Sequence, residues 1–192
     1  RDLSSVLSVE TQMGLFAELS FMKDVLGPRV GFASSVQGWC GPEKDKQDFS
    51  FDTNAIEIKS YITSKGPTVW ISSPRQLWSE KPNRYLAAHA ISISETGQTL
   101  DELSCSIRGQ LSENLDALDS FDKKLIDYGF IKEIHAEQSS RFICDRVSIF
   151  RVIDGFPRVD PASLSGEITA LTYSIDLARC NRFAISQEDC TF

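Results

Sequence analysis

The chain has 192 residues, 41% hydrophobic and 24% charged, the balance of an ordinary globular domain, alone or with an appended lobe. No stretch is long and apolar enough to span a membrane. The net charge of -7 counts mildly against non-specific affinity for nucleic acid, which rests on Lys and Arg, without excluding a local basic face.

The first predicted element is a helix over Val9–Leu26, where Leu15, Leu19, Met22 and Leu26 recur at helical spacing. Gly27-Pro28 is expected to stop it. Glu18 borders this apolar stripe, a costly place for a carboxylate unless a cation or hydrogen-bond donors meet it. Taken alone, Glu18 reads equally as an exposed helical carboxylate paired with a lysine. After the segment from Val30 to Trp39 and a polar loop, Asp48–Phe51 and Ala55–Ile62 alternate polar and apolar residues around Asp52-Thr53-Asn54. That pattern predicts a β-hairpin. A third strand is expected at Thr68–Ser72 and a fourth at Tyr85–Ser94. Thr99 with Glu102 forms a capping box opening a helix to about Leu111. A further helix runs from Asp116 to Tyr128 and closes at Gly129. Arg141–Ile153 and Glu167–Leu177 read as late strands. Strands and helices mix along the whole chain, so the class is α/β or α+β.

The hairpin carries the chemistry. Alternate residues of a strand share a face, so Glu57 and Lys59 point one way and Ile56 and Ile58 the other, into the core. A short hairpin brings Asp48, at the start of the partner strand, beside Glu57. Two carboxylates and an ammonium then converge. Mg²⁺ takes oxygen ligands and keeps several waters. Asp48 and Glu57 are the carboxylates that would bind it, with the Ile58 carbonyl as a third metal ligand. Such a metal lowers the pKa of a water and neutralises phosphate charge. Lys59 suits stabilisation of developing negative charge, since neighbouring carboxylates favour its charged form. Glu18 can reach the same place from the first helix, acting on the metal through water. Asp45 or Asp52 takes the place of Asp48 if the hairpin register slips.

Asp48 followed by Glu57-Ile58-Lys59 resembles the PD-(D/E)XK nuclease superfamily. A closer resemblance is to the bacterial "PD-(D/E)XK motif proteins" found among phage-defence genes. It is carried by Glu18-Leu19-Ser20-Phe21, Gly38-Trp39-Cys40-Gly41-Pro42, Asp48-Phe49, Glu57-Ile58-Lys59, Gln76-Leu77 and Phe156-Pro157-Arg158. The resemblance implies a restriction-endonuclease-like fold: a mixed four-stranded sheet flanked by helices, with the site on its second and third strands and a Glu from the first helix. It implies a Mg²⁺-dependent DNA endonuclease of restriction or defence (Mn²⁺ being a substitute), or a resolvase or nickase with the same site. It further implies DNA as partner, with a second copy of the chain or other defence proteins. The main departure is Gln47, where the family has Pro before the Asp. Gln76 lies where some members place a glutamine that supports the site. An alternative reading is a non-catalytic DNA-binding or scaffolding module that retains the nuclease fold, because fold does not imply activity.

The remaining residues read more blandly. Arg75, Lys81 and Arg84 follow the hairpin closely and are the preferred basic group for DNA, ahead of Arg141, Arg146, Arg151 and Arg158. His89, in an apolar strand, reads as a buried, satisfied histidine, and His135 as a solvated loop residue. Trp39, Trp70 and Trp78 read most simply as core or lobe-packing aromatics, with base stacking by any of them the lesser alternative, and Gly41-Pro42 reads as a loop shaper. The cysteines, Cys40, Cys105, Cys144, Cys180 and Cys190, are odd in number and widely spaced. They argue against a zinc ribbon or disulfide framework and for a reducing, cytoplasmic setting. A start at Arg1 with no secretory signal pattern is expected of a fragment or processed chain. The nuclease core is expected over residues 1–98, with accessory helices and strands over 99–192 packed on the same domain.

Overall fold

The computed structural model describes residues 7–42, 47–131 and 140–192; Asp45 and His135 lie outside them. Ser8 opens α1 (Val9–Phe21) by accepting the Thr11 amide at 3.1 Å. Leu15 and Leu19, with Met22 and Leu26 beyond, are fully buried, as their spacing requires. Gly27-Pro28 does not stop the helix. The chain passes through a π-turn, Met22–Leu26, in which the Gly27 amide reaches back to the Met22 carbonyl, and continues as α2 (Gly27–Val30). Proline lacks an amide proton and crowds the carbonyl four residues earlier. The wide turn resets the ladder, so Pro28 falls in the first turn of α2, where no intrahelical amide is needed. Gly31, at φ 85°, ends the run and α3 (Phe32–Gly38) follows.

The predicted hairpin forms. β1 (Phe49–Ser50) and β2 (Asn54–Ile62) pair antiparallel, Phe49 opposite Ile56 and Ser50 opposite Ala55. β3 (Thr68–Ile71) also forms, but it does not join this sheet. It pairs instead with β6 (Tyr173–Asp176) in a separate two-stranded sheet. The predicted strand over Glu167–Leu177 shrinks to these four residues because only they face a partner; Ile168 before them is exposed. β4 (Asn83–Gln98) runs parallel to β2, and β5 (Phe142–Arg151) and β7 (Ala184–Ile185) continue antiparallel. Among the described residues the main sheet therefore has five strands in the order β1-β2-β4-β5-β7, and two of them are only two residues long. α4 (Leu100–Leu111) opens on the predicted Thr99–Glu102 capping box, and α5 (Leu115–Tyr128) closes on Gly129 at φ 107°.

Both faces of the sheet are covered. On one face Ile56, Ile58, Tyr85 and Ala87 pack with α1, α4 and α5 around Leu19, Leu103 and Leu125. On the other, Tyr61, Leu86, Ala88 and Phe150 pack under the small sheet with Val69, Ile71 and Ile175. Glu57 lies opposite Leu86 and Lys59 opposite Ala88, so both belong to the small-sheet face. At roughly 25 cal/mol per Å² of apolar surface, the two layers hold β2 firmly from both sides. Among the described residues, no helix is long and apolar enough to cross a membrane.

Candidate active site

The site exists because β1 is short. Among the described residues its ladder covers only Ala55 and Ile56, and none of them forms a strand along that edge of β2 from Glu57 onward. A bare strand edge presents amides and carbonyls that need partners. Asp48, just before β1, supplies one: its Oδ2 accepts the Ile58 amide at 2.7 Å. The amide and carbonyl of an extended residue point to the same side, so the Ile58 carbonyl also faces this edge. A cleft of about 660 Å³ opens there, with Asp48, Glu57, Ile58, Lys59 and Glu18 in its lining. Glu57 is 1% exposed, and its Oε1 pairs with Lys59 Nζ at 2.6 Å. Its Oε2 is buried and meets no hydrogen-bond partner among the described residues. Asp52, at the exposed hairpin turn, lines a different cavity, so of these two hairpin aspartates Asp48 is the one that lines this cleft.

Glu18 enters from α1 and is only 5% exposed. Its Oε2 accepts Trp39 Nε1–H at 2.7 Å and its Oε1 accepts the Tyr128 hydroxyl at 2.9 Å. It is not an exposed carboxylate paired with a lysine. The Trp39 and Tyr128 rings stack at 6.3 Å and 23°, and Lys124 donates to the Val36 carbonyl at 2.7 Å and to that of Trp39. α5 thus holds the wall of the cleft in place. Gly41 does more than shape a loop: a Cβ there would collide with Glu18 Oε2 and Trp39 Nε1. These partners of Glu18 were not foreseen. The only signal was a carboxylate beside an apolar stripe, which demands donors without naming them.

Burial sets the electrostatics. It pushes Glu57 up to about 8, helped by the Asp48 charge and opposed by Lys59. It pushes Asp48 up to about 6, against Lys59 and the Ile58 amide. Glu18 is raised well above the usual carboxylate range by burial and by Asp48, against its two donors. Burial pulls the Lys59 ammonium down, but the Glu57 and Asp48 carboxylates outweigh it, and its pKa lies above the ordinary lysine value. Three acids in one site thus disfavour ionisation and one ammonium favours it, the excess of negative charge that a divalent cation relieves. Among the described residues no three His, Cys, Asp or Glu side chains assemble a metal cage by themselves. Asp48 and Glu57 are a pair of oxygen donors with a backbone carbonyl at hand. That set fits Mg²⁺, which completes its shell with water and phosphate oxygens.

The family model described as "Putative PD-(D/E)XK family member, (DUF4420)" matches residues 1–178. The chain belongs to this family. Proteins of the PD-(D/E)XK superfamily are generally nucleases and usually use divalent metals. The five-stranded mixed sheet flanked by helices is a restriction-endonuclease-like fold. No curated protein and no solved structure matches the chain.

In this PD-(D/E)XK chain Glu57 and Lys59 stand on β2 and Asp48 directly precedes β1, the first two strands among the described residues. Gln47, the departure from the Pro of the motif, is a brace. Its Nε2 donates to the carbonyls of Arg75 at 2.7 Å and Trp78 at 2.6 Å. That ties the Asp48 segment to the short 3-10 turn Pro74–Leu77. Gln76 on this turn lines the cleft, and its Oε1 accepts the Ser72 amide at 2.9 Å. Arg75 and Lys81 line a second cavity. Lys81 donates to the Phe51 carbonyl, and Arg84 donates to those of Val152 at 3.2 Å and Ser79 at 3.1 Å. Two of the three cations following the hairpin therefore brace backbone. His89 is fully buried against Phe21, on the helix side of the sheet. Burial pulls it down to about 4, and the backbone near Ala87 and Lys59 offsets only part of that. It is neutral and packed, and neither ring nitrogen has a well-aligned hydrogen-bond partner among the described residues.

Proposed function

We propose that the protein is a Mg²⁺-dependent endonuclease that hydrolyses DNA phosphodiester bonds in bacterial restriction or phage defence. The observation that carries this reading is the pairing of a buried, half-satisfied Glu57 with Asp48 and Lys59 at one open strand edge. A carboxylate oxygen without a donor is costly in a buried site, and a cation beside it removes that cost. Asp48, Glu57 and the Ile58 carbonyl would hold Mg²⁺. The bound ion supplies an acidified water and neutralises charge on the scissile phosphate. Lys59, kept protonated by its neighbours, places a fixed positive charge where negative charge develops on the phosphate. Glu18, held by two donors, would orient water beside a bound metal from the helical wall. Gln76 and Arg75 contact the strand leaving the cleft. The nuclease core lies in residues 1–98, and the accessory part, 99–192, contributes Tyr128 and Lys124 behind Glu18.

The deciding experiment incubates supercoiled plasmid with the protein in Mg²⁺ or Mn²⁺, against EDTA and an Asp48→Ala control. Metal-dependent nicking or linearisation that the substitution abolishes is the expected outcome. A folded protein that leaves plasmid, phage DNA and branched DNA uncut is instead a scaffolding or DNA-binding module on a nuclease fold.

A further inference from the structure

Trp70 is the outlier among the three tryptophans. Trp39 is fully buried and bonded to Glu18, whereas Trp70 is 68% exposed. It does not pack the core. It sits on β3 between Val69 and Ile71, both fully buried, and opposite Ser174 of β6. Alternation along β3 turns Thr68 and Trp70 outward while Val69 and Ile71 anchor the strand. The backbone beneath Trp70 is thus fixed on both sides. Among the described residues its indole makes no hydrogen bond and no ring contact. Yet it lines the same cleft as Glu57 and Lys59, together with Ser72 and Gln76. A rigidly mounted aromatic plane stands at the mouth of the site.

Such a plane suits one feature of a nucleic acid. Every base has a π-face that stacks on an aromatic side chain whatever its sequence. In a duplex those faces are covered by neighbouring pairs and must be unstacked before a side chain can reach them. In an unpaired strand they are open. The neighbouring Gln76 and Ser72 side chains add polar groups able to meet a sugar or phosphate. We propose that Trp70 is a stacking platform for an unpaired base next to the scissile phosphate, so that single-stranded or frayed ends are the preferred substrate. This rests on the nuclease reading above and narrows its substrate to strands with accessible bases.

The test reads binding rather than cleavage. Tryptophan fluorescence is followed while a short oligothymidylate, a short oligouridylate, or a duplex of equal length is added in Ca²⁺, and again in EDTA. The expected result is quenching by the single strands, with the Trp70→Ala protein losing most of the quench and binding roughly ten-fold more weakly. Trp70→Phe should recover much of that affinity, because a phenyl ring still stacks. Duplex binding should be the same for wild type and Trp70→Ala. The two single strands tell DNA from RNA as the source of the base. Because Trp70 is exposed, its replacement should leave the thermal melt unchanged. Equal binding of single strands by wild type and Trp70→Ala overturns the proposal, as does a quench that survives the substitution. The plasmid assay separates the two readings: cleavage with no Trp70-dependent strand binding sinks only the platform. Trp70-dependent strand binding without cleavage of plasmid or single strand sinks the nuclease reading and leaves Trp70 as a base-stacking surface with no scissile phosphate beside it.

Discussion

Two buried glutamates face one another across the cleft, and they are held in opposite ways. Glu18, on the helical wall, has a donor on each oxygen, Trp39 on one and Tyr128 on the other. Glu57, on the strand floor, has one ammonium on one oxygen and, among the described residues, no hydrogen-bond partner on the other. Burial raises the pKa of both. The difference teaches what each is built for. A carboxylate with two fixed donors is locked in one rotamer and holds position. One with a bare oxygen is built to receive something more, and the strand edge beside it offers a further carbonyl. The predictions that follow attack this contrast.

The largest effect should come from the floor. Lys59→Ala removes the ammonium paired with Glu57 and the charge proposed to meet the transition state. Cleavage should fall on the order of 10²–10³-fold, the usual cost of a lost charge-stabilising group. Metal affinity, measured by calorimetry, should change far less, because both carboxylates proposed to hold the metal remain. Cleavage that survives the change would show that Lys59 has been given the wrong role.

The wall should respond more weakly. Tyr128→Phe deletes one of the two donors to Glu18 without altering the ring that stacks on Trp39. Removing such a supporting partner typically costs 10–100-fold in metal affinity or activity. If Glu18 orients water at the metal, the loss should be carried by metal affinity and a shifted pH–rate profile, which a merely structural role would leave in place. Gly41→Ala probes the same wall by steric means. Its Cβ would push Glu18 and Trp39 apart, and crowding of this kind costs about 1–3 kcal/mol of stability, readable as a lower urea midpoint. Unchanged melting and unchanged metal affinity in both variants would remove the distinction between floor and wall.

How much of this contrast could be read from the chain alone follows from the range of the interactions. The floor was legible because a strand's period of two puts Glu57 and Lys59 on one face, and Asp52-Thr53-Asn54 sets the turn that brings Asp48 alongside. The helices over 100–111 and 115–128 were legible too, since Thr99, Glu102 and Gly129 are local caps. The wall was not. Tyr128 reaches Glu18 across 110 residues of sequence, and no local pattern announces it. Gln47, which marks a departure from the motif, gave no hint that its amide would brace the Pro74–Leu77 turn. Pro28 misled because the π-turn before it, a tertiary accommodation, absorbs a residue that normally breaks a helix. Trp70 misled because alternation alone does not say which face of a strand is outward when the strand belongs to a second sheet.

The smallest expected effect is on stability, and its sign is fixed by the raised acids. In the metal-free protein Glu57 titrates near 8 and Asp48 near 6, against ordinary values of 4.5 and 3.8. Over that window the folded state holds protons that the unfolded chain releases, so folding is favoured at low pH and weakens as pH rises through 6 and 8. The melting temperature in EDTA should therefore fall between pH 5.5 and 8.5. Glu57→Gln should flatten the upper part of that fall, because an amide has no proton to lose. Mg²⁺ should raise the melting temperature more at pH 8.5 than at 5.5, since its ligands must be ionised to bind it, and binding at neutral pH should release protons. The same substitution at Glu18 distinguishes floor from wall. Glu18→Gln should blunt the pH dependence in EDTA but leave much of the Mg²⁺ stabilisation, whereas Glu57→Gln should abolish it. Equal loss of Mg²⁺ stabilisation in the two variants would mean that both glutamates bind the metal directly, and the donors on Glu18 would then have to yield to it.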